Sequence, residues 1–210
     1  MAYDSAATKE RILTAAAAEF AEHGVAGARV DRIAAAAAAN KRAIYDYFGD
    51  KQALFAAVLE RLMTDLAEAV PPGDDADLGV YAGSLFDYHR ANPEALRLLL
   101  WEALEMGEDP VPDEETRTRH YLDKVGAAET AAGAHNGDPR ALLFFTLGLV
   151  GWSLAMPQLR RMILGSDYTP ERLREAVSSA VRALAGSPTA GSPHGGGEST
   201  SQPGAESRVR

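Results

Sequence analysis

Six residues within one short stretch carry groups that bind rather than react: Asn40, Lys41, Arg42, Tyr45, Tyr47 and Lys51. They bring an amide, three cations and two phenols, without a carboxylate–histidine or nucleophile–base pair among them. The planar fork of Arg42 matches the paired acceptors on a guanine edge, whereas lysine, tyrosine and amide groups suit phosphate oxygens. Arg29, just upstream, adds a further phosphate donor.

Holding such groups against a nucleic-acid groove requires short helices. Val30, Ile33, Ala34 and Ala37 recur at three- and four-residue spacing, which predicts a helix over 30–37. A turn follows. Asn40 is a good N-cap, because its side-chain oxygen can accept from an amide two or three residues on, so a second helix begins at Lys41. Ile44 and Phe48 anchor that helix and leave Lys41, Arg42, Tyr45 and Tyr47 to face outwards. Asp50 caps the next helix, which begins at Lys51. The carboxylate of Asp46 would repel phosphate, so it must turn away or accept from a cytosine amine.

The pattern from Asn40 to Phe55, Asn-Lys-x-x-Ile-Tyr-x-Tyr-Phe-Gly-x-Lys-x-x-Leu-Phe, resembles the helix-turn-helix of the TetR family of bacterial transcriptional regulators. The resemblance implies a homodimeric, ligand-responsive regulator, a repressor that binds a pseudo-palindromic DNA operator and is released by a small hydrophobic effector. The departures lie in the turn, where Ala38 and Ala39 replace the family's usual Gly and Val, and at Arg42, where the family usually has a small residue. A left-handed Ala38 would cost on the order of 1 kcal/mol relative to Gly. The alternative is a helical small-molecule-binding or enzymatic protein whose head no longer reads DNA.

Catalytic and metal chemistries find little support. The 210 residues contain no cysteine, which removes disulfides and thiolate metal sites. There is no His-Glu-x-x-His, and no Glu stands three residues before a His. Gly151-Trp152-Ser153-Leu154-Ala155 approaches a nucleophile elbow but lies within an apolar helical run rather than at a strand-to-helix turn. His23, His89, His120, His135 and His194 have no partners at metal-ligand spacing. No enzyme activity, metal or cofactor is expected.

The net charge of −9 seems to argue against a polyanionic partner, but its distribution removes the conflict. The first 52 residues carry seven Lys or Arg and seven Asp or Glu, and residues 187–210 carry two of each, so the acidic surplus falls on residues 53–186. A neutral head can approach DNA beneath an acidic body. The polar start and the lack of eighteen consecutive apolar residues predict neither a secretory signal nor a membrane span, and hence a cytoplasmic protein.

Three regions follow: a helix-turn-helix domain over 8–52, a helical ligand-binding and dimerisation domain over 53–186, and a disordered tail over 187–210 that is rich in Gly, Ser and Pro. The fold class is all-α, with a three-helix, homeodomain-like head joined by a linking helix to the body. Thr8 caps a first helix that Gly24 ends, and Ile12, Leu13, Phe20, Val25, Val30, Ile33, Ile44 and Phe48 form the small core of the head. The helix from Lys51 to about Ala69 belongs to head and body at once, so a shift of the body would move the head. Further helices are predicted over 78–90, 94–105, 113–132, 142–156 and 171–184, with Asn92-Pro93, Asp138-Pro139 and Thr169-Pro170 as cap-plus-proline starts.

The run from Leu142 to Met156 is apolar almost all round, so it must be buried on every side. It is too short to span a bilayer, which points to a partner subunit, and the resemblance implies a four-helix bundle with a second copy. Leu142, Phe145, Leu149, Leu173, Val177, Val181 and Leu184 are the expected dimer interface. Phe86, His89, Trp101, Glu105, Tyr121, Phe144 and Trp152 are the expected ligand pocket, aromatic with a few polar groups. No cluster of positive charge is visible in this apolar region, which predicts a neutral or cationic, largely hydrophobic effector.

Overall fold

The computed structural model describes residues 5–71, 77–132 and 138–186, and the side chains of 127–132 are not described. Residues 72–76 and 133–137, and the expected disordered tail over 187–210, lie outside the described residues. Among the described residues there are ten helices and no strand. They are α1 (Ser5–Gly27), α2 (Val30–Ala36), α3 (Lys41–Phe48), α4 (Lys51–Ala69), α5 (Leu78–Ala91), α6 (Pro93–Met106), α7 (Glu114–Ala132), α8 (Pro139–Ala155), α9 (Pro157–Leu164) and α10 (Pro170–Gly186). No single described helix is long and apolar enough to cross a membrane.

The helix starts follow their caps. The Asn40 side chain accepts from the Arg42 amide at 2.9 Å, and Asp50 accepts from the Ala53 amide at 2.8 Å. Asp138 accepts from the Arg140 amide at 2.9 Å, with Pro139 at the first helical position. Helix α1 departs from expectation at both ends. It begins at Ser5 rather than after a Thr8 cap, and it runs through a break at Gly24 to Gly27.

The head core gathers Ile12, Phe20, Val25, Val30, Ile33 and Ile44 as expected, with Leu13 and Phe48 only partly buried at its edge. Leu54, Phe55, Val58 and Leu59 of α4 complete it, and the Phe55 ring meets Phe20 edge-on at 5.1 Å. Leu98 of α6 also enters this cluster, a contact between head and body that helical periodicity does not reveal. Head and body therefore share a core through α4 and α6. Leu98 is almost fully buried there, and α6 lies along α1.

In the body, α5 and α10 lie against one another more extensively than any other pair. Two glycines one helical turn apart permit the approach. A Cβ on Gly79 would stand 2.8 Å from the Ser178 carbonyl, and one on Gly83 would stand 3.0 Å from the Ser178 hydroxyl. Three ion pairs fix the antiparallel register: Asp77 with Arg182 at 3.0 Å, Asp87 with Arg174 at 2.7 Å and Arg90 with Glu171 at 3.1 Å. The bidentate pair of Glu102 and Arg117 joins α6 to α7, at 2.6 and 2.7 Å.

Leu173, Val177 and Val181 are corrected by this packing. They face inward, sharing a core with Phe86, Leu85 and Val150 of the same chain, so they are not available to a partner subunit. A second correction follows Ala155. The chain bends by 87° at Met156 into the separate helix α9, because Pro157 cannot donate an amide to continue α8.

Candidate DNA interface and effector cleft

Helix α3 stands out from the head on one buried residue, Ile44, with Tyr47 and Phe48 half-buried beside it. Its outer side presents Lys41, Arg42 and Tyr45, and the Arg42 side chain is 87% exposed. Lys41 pairs with Asp31 of α2, which raises the pKa of the lysine and lowers that of the carboxyl through the bond between them. Asp46 lies 3.8 Å from Arg42, one turn along α3, so the carboxylate leans toward the arginine.

The turn that aims this helix rests on a strained alanine. Ala38 adopts φ 47°, the left-handed region, and the Ala39 amide donates back to the Ala34 carbonyl at 3.0 Å, closing a Schellman-type C-cap on α2. The turn keeps its geometry without the glycine that would favour it.

The other expected phosphate donors divide into two groups. Arg29 is exposed and pairs with Asp31 at 3.4 Å, and Tyr47 lies beneath the Lys9 ammonium at 5.3 Å. Asn40 and Lys51 are spoken for within the head. The Asn40 oxygen caps α3, and the Lys51 ammonium donates to the Ala26 and Ala28 carbonyls at 3.3 Å each. Lys51 thus ties the start of α4 to the end of α1 rather than standing free at a helix start.

The structure does not bring the expected ligand residues together. A cleft of about 390 Å³ between α5, α6, α8, α9 and α10 is lined by Phe86 and His89, but by none of the other five. Trp101 and Glu105 instead grip the break in α1, with the indole donating to the Ala21 carbonyl at 3.2 Å and Glu105 accepting from the Val25 amide at 2.7 Å. A Cβ on Gly24 would meet the Trp101 ring at 2.9 Å. Tyr121 lies beside Lys124, while Phe144 and Trp152 are 71% and 59% exposed on α8. Helical periodicity places the aromatic residues among these on apolar stripes, but does not say which helix faces which.

The cleft contains what the sequence scattered. Arg90, Arg97 and Arg160 line it together with Leu96, Leu100, Leu154 and Leu173, which corrects the expectation that no cluster of positive charge sits in the apolar region. His89 is 7% exposed, its Nδ1 has no hydrogen-bond partner, and burial pushes its pKa down to about 4. A neutral imidazole therefore faces this space at neutral pH. Among the described residues no group of three or more His, Asp or Glu could hold a metal ion.

One outer face of the body is left bare. Phe144, Phe145 and Trp152 of α8 are exposed, as is Leu184 of α10, while Leu142 and Leu149 are half-buried beside them. The exposed positions of α10 include the small residues Ala176, Ser179, Ala180 and Ala183 beside the charged Glu171, Arg172, Glu175 and Arg182.

Comparison with known proteins agrees with this geometry over most of the chain. Residues 12–58 match bacterial regulatory proteins of the tetR family, and residues 77–183 match the tetracyclin repressor-like C-terminal domain. The chain is 45% identical over 190 residues to the HTH-type transcriptional repressor SCO4008 of Streptomyces coelicolor, covering 87% of this chain and 97% of that protein. It is 37% identical over 106 residues to the HTH-type transcriptional repressor NicS of Pseudomonas putida, covering 48% and 50%. A crystal structure described as a transcriptional regulator, SCO4942 of Streptomyces coelicolor, superposes with a TM-score of 0.71 at 36% identity, covering 84% of this chain and 97% of that one.

Proposed function

The chain belongs to the tetR family of bacterial regulatory proteins, and from that premise we propose that it is a homodimeric transcriptional repressor, acting on DNA in the cytoplasm and released from its operator by a small-molecule effector. One observation carries the reading. Helix α3 presents Arg42, Lys41 and Tyr45 outward from a capped turn, in the geometry by which a recognition helix enters a major groove. Arg42 reads guanine edges, and Tyr45, Tyr47 and Arg29 hold phosphates. Lys51 and Asn40 act indirectly, by fixing the angle of the helix.

The dimer forms through the bare face of the body. Phe144, Phe145 and Trp152 of α8 with Leu184 of α10 make an apolar surface that water would not leave uncovered. Ala176 and Ala180 let a second α10 approach closely. Leu142 and Leu149 support the face from within, and Leu173, Val177 and Val181 hold α10 to α5. Two heads related by a two-fold axis then read half-sites about one helical turn, or a multiple, apart.

The test is a mobility-shift titration on the intergenic DNA upstream of the protein's own gene, with excess non-specific competitor. A saturable shift with two chains per site is expected, and no shift would remove the regulatory reading. In sedimentation, Trp152→Glu should give a folded monomer. A variant that stays a tight dimer would take α8 out of the interface.

A further inference from the structure

We propose that the cleft bounded by Arg90, Arg97 and Arg160 takes an amphiphilic anion, a carboxylate bearing a short apolar chain, and that the bound carboxylate draws Arg97 off the Ala21 carbonyl that it holds in the head. The inference rests on the regulatory reading above and gives the effector a chemical class and a route to DNA affinity.

The charge of the cleft is one-sided. No Asp or Glu is among the residues that line it. Arg90 is neutralised in part by Glu171 at 3.1 Å, but Arg97 and Arg160 bond only to carbonyls, those of Ala21 at 2.8 Å and Ser153 at 3.2 Å. Among the described residues neither has a carboxylate partner. Arg160 is half-buried while Arg90 and Arg97 are exposed at the mouth, so an anionic ligand would supply the half-buried cation with the counter-charge it lacks and meet two further cations at the rim.

Helix starts add to the same field. Pro93, Pro157 and Pro170, the first residues of α6, α9 and α10, all line the cleft. The positive ends of three helix dipoles therefore reach it, beside the negative ends of α5 at His89-Arg90 and of α8 at Leu154-Ala155, and α6 and α9 have no side chain capping their first amides. Phe86, Leu96, Leu100, Leu154 and Leu173 supply the wall for an apolar chain, and the unpartnered Nδ1 of His89 offers a further polar contact. The observations thus favour an anion with a greasy tail over a hydrophobic cation.

Arg97 also belongs to the grip on the head. Arg97, Trp101 and Glu105 stand four residues apart on one face of α6, and all three bond to the backbone at the end of α1. Beyond the Gly24 break, the same segment is held by Lys51 of α4 through the Ala26 and Ala28 carbonyls. A carboxylate in the cleft competes with the neutral Ala21 carbonyl for Arg97, and the charge-assisted bond is the stronger of the two. Occupancy therefore loosens α6 from α1, and by linkage DNA must weaken binding of the anion by the factor that the anion weakens DNA.

Octanoate, octylammonium and octanol, which share a chain and differ in head charge, serve as probes for calorimetry on the full chain. Octanoate should bind at least about tenfold tighter than octylammonium, and Arg160→Gln and Arg97→Gln should each weaken it by at least about tenfold. Saturating octanoate should lower the operator affinity of the parent several-fold but leave that of Arg97→Gln unmoved, with thermal melts showing that both variants are folded. Equal or tighter binding of octylammonium would overturn the anion site. Octanoate binding that leaves parental operator affinity unchanged would overturn the Arg97 route. The unliganded parent is titrated with operator in the same series, so failure to bind DNA would count against the regulatory reading separately, while calorimetry still decides the cleft.

Discussion

The head and the body of this protein are both helical, yet they are held together by different means. In the head, the bonds that start α3 and α4 are local: Asn40 and Asp50 cap their own helices, and Lys41 meets Asp31 across one turn, while Arg11 and Lys51 tie backbone carbonyls at Ala37, Ala26 and Ala28. Across the body the ion pairs that set the α5–α10 register join residues far apart in sequence, Asp77 with Arg182, Asp87 with Arg174 and Arg90 with Glu171, and the buried pair of Glu102 with Arg117 joins neighbouring helices. Local bonds set the shape of a small reading module, whereas long-range bonds set the register of helices that must be able to move. Removing single groups should therefore hurt the body more than the head.

The largest expected effect is at the pair between α6 and α7. Arg117→Ala leaves the buried Glu102 carboxylate without its bidentate partner and should cost about 3–5 kcal/mol of stability by chemical denaturation. Replacing both residues with Met should recover most of that loss. In the head, Lys41→Ala removes a solvent-screened pair and should change stability far less than Arg117→Ala does. A head variant as damaging as the body variant would break the comparison.

Next is a pH effect confined to the body. His89 is buried and neutral, with a folded pKa of about 4 against an ordinary 6.5, so between these values the unfolded chain binds a proton that the native state does not. The stability it confers is complete above the unfolded pKa and is lost as pH falls from about 6.5 towards 4, by roughly 3 kcal/mol in all. His89→Leu should flatten that slope. The carboxyls of Glu19, Asp77 and Glu171 are lowered by arginine partners and backbone amides, and their contributions disappear only at lower pH, as they protonate. A parent as stable at pH 5 as at pH 7 would contradict the burial of a neutral imidazole.

The smallest effect sharpens the account of the head. Ala38 holds a left-handed conformation, so Ala38→Gly should raise thermal stability by up to about 1 kcal/mol with the α2–α3 angle unchanged. Destabilisation by glycine would mean that the turn takes another form in solution.

How far the sequence could be read follows the same division. The starts of α3, α4 and α8 were legible because Asn40, Asp50 and Asp138 cap from within their own segment. Arg42 and Tyr45 were legible as outward groups because Ile44 fixes the buried side of a short helix. Leu173, Val177 and Val181 were recognised as one apolar seam, but periodicity does not say whether that seam meets α5 of the same chain or a second copy. Trp101 and Glu105 looked like pocket residues because nothing local links them to Gly24, some eighty positions earlier. The arginines of the cleft were invisible for the same reason, since Arg90, Arg97 and Arg160 come together only when α9 folds back at Pro157.

The central claim is that α3 reads DNA sequence and that Arg42 is its chief reader. The measurement is the ratio of operator to scrambled-DNA affinity for the parent and for Arg42→Ala, by fluorescence anisotropy at two salt concentrations. The account predicts that Arg42→Ala loses about 1–3 kcal/mol on the operator, relaxes preference at one base pair of each half-site and loses far less on scrambled DNA. An Arg42→Ala protein that keeps the parental ratio would contradict it.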